Sequence, residues 1–342
     1  MAKKMFDFCI GNPPYQANIE NAGDRANPVY DKFMDAAFDV ASCVELIHPA
    51  RFLFNAGQTP KVWNSKMLSD EHFKVLSYEP DASKIFTNTE IKGGVAITLR
   101  DSEKDFGAIG TFTPYEQLNH IIKRVSLKAE EPFSTIVSNR GMYRFTEEFY
   151  HDYPEVKGKV GKGSGNMIVS NIFEKAPEVF SEKPGTDTIS VLGRKSGKRI
   201  YRFLKRAYVI DVPYIDKYKL FFPEANGNGQ YGEALTLPDI GAKGMCSTDT
   251  FINIGLFNTE LEAGALLKYI KSKFLRALLG AKKATQHSPK SVWELIPLQN
   301  FTPSSDIDWS KSVHEIDLQL YRKYGLSSEE IDFIETNVKE MI

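Results

Sequence analysis

Asn12-Pro13-Pro14-Tyr15 places an amide, two rigid rings and an aromatic face within four residues, directly after the apolar run Phe6-Asp7-Phe8-Cys9-Ile10-Gly11. Two consecutive prolines continue neither a strand nor a helix, because neither has an N–H to donate and both fix φ. The chain must therefore leave its sheet in a stiff turn. That turn presents the Asn12 side chain, carbonyls without helical partners and the Tyr15 ring. A planar base with an exocyclic amine, adenine for example, needs such a surface: acceptors for the amine and a flat partner for the ring. The plainer reading is a proline turn at the edge of an α/β sheet.

The segment Phe6–Gln16 resembles the catalytic motif of the amino-group, gamma-type DNA methyltransferases that modify adenine in restriction–modification systems, matching a hydrophobic strand, a Gly and all four motif positions. The rest of the chain resembles the later half of such a methylase, from the catalytic motif through target recognition. The resemblance implies that the target base leaves the duplex before chemistry. It implies that the Asn12 side-chain carbonyl and the Pro13 backbone carbonyl accept hydrogen bonds from the adenine amine and free its lone pair. Tyr15 would stack on the base, and Pro14 would keep the turn preorganised. No covalent intermediate is needed, so Cys9 reads as a packed strand residue.

The same resemblance implies S-adenosylmethionine as methyl donor, normally held by a Gly-rich strand–loop and an acidic residue before the Pro-Pro turn. Only eleven residues precede Asn12, and the Gly-dense segments Gly161–Gly165 and Gly193–Lys198 are strongly basic, follow no apolar strand and lack the spacing of a nucleotide phosphate loop. Both read as loops. The cofactor-binding residues are thus unknown. The cofactor half is expected in a second subunit or an N-terminal segment, and the isolated chain is expected to be incomplete or inactive.

The elements that must position the turn read as alternating strands and helices. Residues 16–27 look like a mobile loop. Asn27-Pro28 reads as a helix start, with Tyr30, Phe33, Ala37 and Val40 at helical spacing. Val44–Ile47, Phe73–Tyr78 and Gly94–Leu99 read as strands, and Asn55–Leu68 as a helix. His48 reads more readily as an interior histidine than as a catalyst, and neither it nor Arg51 is given a catalytic role. Phe86 lies in a segment similar to the one that supplies the family's second aromatic around the flipped base; a plain core role is the alternative. Asp81, Glu90 and Lys92 mimic the metal-binding pattern of restriction nucleases.

From about residue 130 the alternation ends. Gly193–Arg206 carries seven basic residues and no acid, with aromatics between them, and Lys268–Lys290 carries another seven without an acid. Such stretches suit phosphate neutralisation, though a solvated strand is the alternative for the first. Arg194, Lys195, Lys198, Arg199, Arg202, Lys282, Lys283 and Lys290 are the candidate DNA contacts, with Gln286 and Lys283 nearer the base edges. Leu261, Ala265, Tyr269 and Phe274 read as one helical stripe. The tract from Tyr218 through Gly227, Asn228 and Gly229 to Pro297 resembles the target-recognition region of these methylases, with Gly and Asn as turn formers. From Ser304 the tail carries nine acids against four bases. It reads as a helical brace, in which Ser327 and Glu330 form a capping box.

Composition sets the remaining bounds. The chain has 342 residues, 42% apolar content and a formal net charge of −1, so two domains with buried cores are expected. Three cysteines without metal spacing or pairing suit a reducing cytoplasm. No metal site is expected, and no apolar run approaches the ~20 residues a membrane helix needs. The expected fold class is α/β: a partial, Rossmann-like methyltransferase sheet (1–128), a mixed α+β target-recognition domain (129–303) and a helical extension (304–342). The expected function is adenine methylation of duplex DNA at the N-6 amino group. A non-catalytic specificity subunit and a nuclease are the alternatives.

Overall fold

The apolar run Phe6–Gly11 forms strand β1, and the Pro13-Pro14 turn ends it. A computed structural model describes residues 4–17, 27–86, 91–160 and 163–341. The chain divides into two compact units, Met1–Asn119 and His120–Ile342.

In the first unit, helix α1 (Tyr30–Val40) links β1 to the parallel strand β2 (Ala41–Pro49), the crossover that a parallel pair requires. Helix α2 (Lys61–Ser69) precedes β3 (Phe73–Glu79), and β4 (Val95–Asp101) inserts between β2 and β3, antiparallel to both. The sheet order is β1-β2-β4-β3. One face is covered: Tyr30, Met34 and Phe38 of α1 and Trp63 and Met67 of α2 pack on Val44, Leu46, Phe73 and Ala96. On β1, Phe6, Phe8 and Ile10 are 56%, 74% and 80% exposed. The apolar alternation of β1 is thus that of a strand whose outer side chains have no cover among the described residues.

Two expected boundaries shift. Helix α1 begins at Tyr30, because Pro28 forms a β-bridge with Gln16 and the Ala17 amide donates to the Asn27 carbonyl. Helix α2 begins only at Lys61. Asn55 takes the left-handed conformation that ends a 3-10 turn over Arg51–Phe54, and Gly57 also has positive φ, so the chain cannot be helical before Pro60.

Helix α3 (Glu116–Ser126) leads into the second unit, where the short helices α4 (Glu147–Asp152), α5 (Val156–Lys159) and α6 (Ile172–Lys175) precede the strands. Strands β5 (Thr188–Lys195) and β6 (Lys198–Lys205) form a hairpin. Strands β7 (Tyr218–Pro223), β8 (Asp239–Gly241), β9 (Met245–Ser247) and β10 (Phe251–Phe257) follow. They give two three-stranded sheets, β10-β7-β8 and β6-β5-β9. The loop expected over Gly193–Lys198 is instead two strand ends joined at Ser196-Gly197, both with positive φ. Such residues form the two-residue turns that match strand twist.

Helices α7 (Glu260–Lys271) and α8 (Lys273–Lys282) are separate, because the Ser272 hydroxyl caps α8. The single stripe expected from Leu261 to Phe274 is therefore split, and Leu261 is exposed. Helices α9 (Val313–Tyr324) and α10 (Ser328–Asn337) each begin with a capping box, the second from Ser327 and Glu330. They brace α8. The buried Asp317 carboxylate accepts from the Lys273 and Phe274 amides, and Lys273 pairs with Glu335 at 2.6 Å. Among the described residues no helix is long and apolar enough to cross a membrane.

Candidate active site and nucleic-acid face

The Asn12–Tyr15 turn leaves the sheet with Asn12 exposed and Tyr15 half-buried. Its far side is tied down by backbone: the Val29 amide donates to the Tyr15 carbonyl, and Gln16 bridges Pro28. Residues 18–26, most of the expected mobile loop, lie outside the described residues. The Tyr15 hydroxyl is buried and makes no hydrogen bond of good geometry. Burial raises its pKa, and the adjacent Asn12 side chain opposes that rise. Asn12 and Tyr15 therefore present their polar groups together, with the carbonyls of a rigid turn alongside.

Phe86 reaches the same place from a separate element. After β3, the Asp81 carboxylate caps a short 3-10 turn over Ala82–Lys84, and the Phe86 amide donates to the Ala82 carbonyl. The Phe86 ring meets Tyr15 edge-on, with centroids 6.3 Å apart and planes at 69°. A base stacked between two parallel rings needs about 7 Å between them, two contacts of about 3.5 Å each. The present spacing is shorter than that, and the two rings fill it edge to face.

His48 is fully buried and satisfied. Its Nδ1–H donates to the Pro49 carbonyl at 3.2 Å, so Nε2 accepts from the Thr98 hydroxyl at 2.7 Å. Burial pushes its pKa down to about 4, and its ring stacks on Tyr30 at 6.0 Å. This is a neutral core histidine. Arg51 is exposed and lies along Gly57 and Gly93; a Cβ on Gly93 would sit 2.4 Å from its side chain. Asp81 spends its carboxylate on Ser83, and Glu90 lies outside the described residues. No group of three potential metal ligands occurs among the described residues.

The two basic clusters divide by engagement. In the first, Lys195 and Lys198 are exposed at the hairpin tip, and their side chains make no hydrogen bond or ion pair among the described residues. Arg199 pairs with Asp239 at 2.7 Å, Arg202 with Glu182 at 2.9 Å and Lys205 with Glu148 at 2.8 Å. The Arg194 and Arg199 guanidinium groups lie 6.0 and 5.7 Å from the centre of the Phe251 ring. In the second cluster, Lys268 and Lys273 bind tail groups, and Lys282 pairs with Glu294 at 2.6 Å. Lys283, expected near base edges, is only 4% exposed, and its ammonium meets Glu233 at 2.9 Å. It faces inward because its cost of burial is offset by that carboxylate and by the Thr285 carbonyl. Gln286 and Lys290 remain exposed. Charge counts along the chain do not reveal these pairings, whose partners lie 12–57 residues away.

Backbone bonds at Glu224 and Ala225 tie the end of the second cluster to the segment before β10. The Glu224 amide donates to the Thr250 carbonyl beside Phe251, and the Glu224 carbonyl accepts from the Ser288 amide. Ala225 bridges His287.

The first unit thus holds a hydrophobic strand, a Pro-Pro turn bearing an amide, and two aromatic rings in edge-on contact. The family model of the Eco57I restriction-modification methylase matches residues 1–86, the part that holds all of these. A curated protein of Mycoplasma pneumoniae, described as an "uncharacterized adenine-specific methylase", is 29% identical over 93 residues, 26% of this chain and 22% of that protein. The chain thus spans about a fifth of that relative's length. The solved type IIG restriction endonuclease BpuSI aligns with 92% of this chain and 48% of its own, at 11% identity and a TM-score of 0.33, a likeness too loose to define a shared fold. Residues 1–86 therefore carry the sequence signature of a restriction–modification methylase.

Proposed function

We propose that the chain is the base-holding and DNA-recognising part of an adenine-specific DNA methyltransferase of a restriction–modification system. The observation that carries this reading is the meeting of Tyr15 with Phe86 at 6.3 Å beside the Asn12–Pro13 acceptors. The first unit receives the extruded adenine. Its amine donates to the Asn12 side-chain carbonyl and the Pro13 carbonyl, which draws the nitrogen toward tetrahedral geometry and exposes its lone pair. Tyr15 and Phe86 replace the stacking that the base loses on leaving the duplex. The turn costs no reorganisation at the moment of reaction, because Pro13 and Pro14 already hold it.

S-adenosylmethionine is the donor that the methylase signature implies. The two Gly-dense segments do not fit it. Gly193 lies inside β5, where a Cβ would meet Phe173 at 2.4 Å and Thr248 at 2.9 Å, so its backbone is closed off by packing. Gly165 sits in a turn whose carbonyl takes the Arg144 guanidinium, a setting hostile to a cationic sulfonium. The cofactor site is therefore assigned to a segment outside the described residues or to a second subunit. The exposed apolar residues Phe6, Phe8 and Ile10 on the outermost strand support this reading, because a bare apolar edge strand is a ready template for another segment to cover.

The second unit contacts duplex DNA. Lys195, Lys198 and Lys290, whose side chains have no ion-pair partner among the described residues, suit phosphates, and Arg194 precedes Lys195 on β5. Methylation by the complete system, assayed with Asn12→Ala, tests the pocket: activity equal to wild type would remove the assigned role.

A further inference from the structure

The tip formed by residues 227–229 and 284–287 is exposed yet held rigidly from beneath. Gly227 and Gly229 have positive φ; a Cβ on Gly227 would strike the Glu233 carboxylate at 2.2 Å, and one on Gly229 would strike the Ala284–Thr285 backbone at 2.6 Å. Glu233 accepts from the Asn228 amide at 2.7 Å and the Gly229 amide at 3.0 Å, and the same carboxylate pairs with Lys283. Lys283 in turn donates to the Thr285 carbonyl, and the Asn226 amide donates to the Gln286 carbonyl. One buried ion pair thus clamps two chain segments together, and each segment offers solvent one primary amide, Asn228 and Gln286. Asn228 uses one lone pair of its side-chain oxygen on the Gln230 amide, which fixes the side chain and leaves its NH2 and the other lone pair outward. No hydrogen bond engages the Gln286 side chain among the described residues.

We propose that Asn228 and Gln286 are a pair of base-reading residues for duplex DNA, each specifying an A·T pair from the major groove; this rests on the DNA-binding role proposed for the second unit. Asn and Gln are the side chains whose donor and acceptor match adenine N7 and N6 together. A rigid tip suits readout, because an amide on a mobile loop would lose ordering entropy for each contact. The neighbouring charge fits the same partner: Lys290 is exposed and its side chain has no ion-pair partner among the described residues. The α-carbons of Asn228 and Gln286 lie on the order of 10 Å apart, so the two bases read fall within about four steps of ~3.4 Å. Lys283 is a positioning residue that acts through the tip.

The test is selection of bound sequences from a randomised duplex pool by the full chain. Wild type is expected to enrich two A·T positions within about four base pairs. Asn228→Ala and Gln286→Ala should each flatten one of them, a loss of about 5- to 150-fold in preference. Lys283→Met leaves Glu233 without its cation, so the unfolding midpoint should fall; measured well below that transition, both positions should blur together, and Lys283→Arg should restore them, which a merely structural loss would not show. Gln286→Glu, which keeps size and exposure, should shift one position from adenine toward cytosine, whose amine a carboxylate accepts. An enriched motif unchanged in both alanine variants, or one without A·T at the affected positions, overturns the pair while leaving the methylase reading intact. Absence of duplex binding by wild type overturns both.

Discussion

Tyr15 and Phe86 stand 71 positions apart in sequence and meet edge to face at 6.3 Å. One is held by a Pro-Pro turn after β1 and the other by a capped 3-10 turn after β3. They meet at the only amide-bearing Pro-Pro turn of the sequence, and the proposed base pocket rests on that contact.

Asn12→Ala should lower methylation by the complete system by at least about a hundredfold, the usual effect of removing one preorganised polar group at a reacting centre. Duplex affinity should stay within a few-fold, because Asn12 is on the turn and the proposed phosphate contacts are in the second unit. Single-turnover methylation and fluorescence anisotropy on the same preparation measure the two quantities.

His48 makes stability pH-dependent in a defined direction. Its folded pKa of about 4 lies below the ordinary 6.5, so the unfolded chain binds the proton more readily. The neutral ring's contribution is complete above pH 6.5 and is lost as pH falls toward 4, roughly 3 kcal/mol in all. Imidazole proton resonances should show one histidine titrating near pH 4. The urea midpoint of the first unit's transition should fall between pH 7 and pH 4 more steeply in wild type than in His48→Gln. Equal slopes would assign the acid sensitivity elsewhere. Asp317 works oppositely in the second unit: burial raises its pKa to about 6, so protonation below that value relieves a buried charge.

The hairpin tip should set salt dependence. Lys195→Ala with Lys198→Ala removes two free cations and should reduce the slope of log K against log salt by about 2, at about 0.9 per phosphate contact. The loss should be the same on every duplex, because phosphate contacts carry no sequence information. Arg199→Ala should act differently: it breaks the Asp239 pair and the bond to the Leu237 carbonyl, so a lower unfolding midpoint is expected. A salt slope unchanged in the double variant would remove the hairpin from the DNA face.

Phe8→Lys addresses the exposed strand. Phe8 is 74% exposed, so the substitution should change the stability of the isolated chain by no more than about 0.5 kcal/mol. It should nevertheless reduce methylation by the complete system if a cofactor-carrying segment packs on β1. Co-purification of the two parts should weaken in parallel. Full activity in the variant would show that β1 takes no such partner.

Local chemistry made several of these features legible in the sequence. The Pro-Pro turn follows from missing donors and fixed φ, and the Ser327–Glu330 capping box from side chains three residues apart. The strands around Val44–Ile47, Phe73–Tyr78 and Gly94–Leu99 follow from apolar pattern, and each appears: the first extended at both ends, the second by one residue, and the third without Gly94 but two residues longer at its C-terminal end. The α/β class follows from their alternation with helices. Only the tertiary structure decided which charges are free. Lys283 and Lys290 look alike in sequence, yet Lys283 folds inward because Glu233 lies 50 positions upstream and 2.9 Å away in space, whereas Lys290 finds no such partner among the described residues. An apolar strand likewise reads the same whether covered or bare, because hydrophobicity states a preference for burial and not the presence of a partner. Phe6, Phe8 and Ile10 are bare for that reason, and the pairing of Tyr15 with Phe86 waited on the sheet that brings β1 and β3 into one layer.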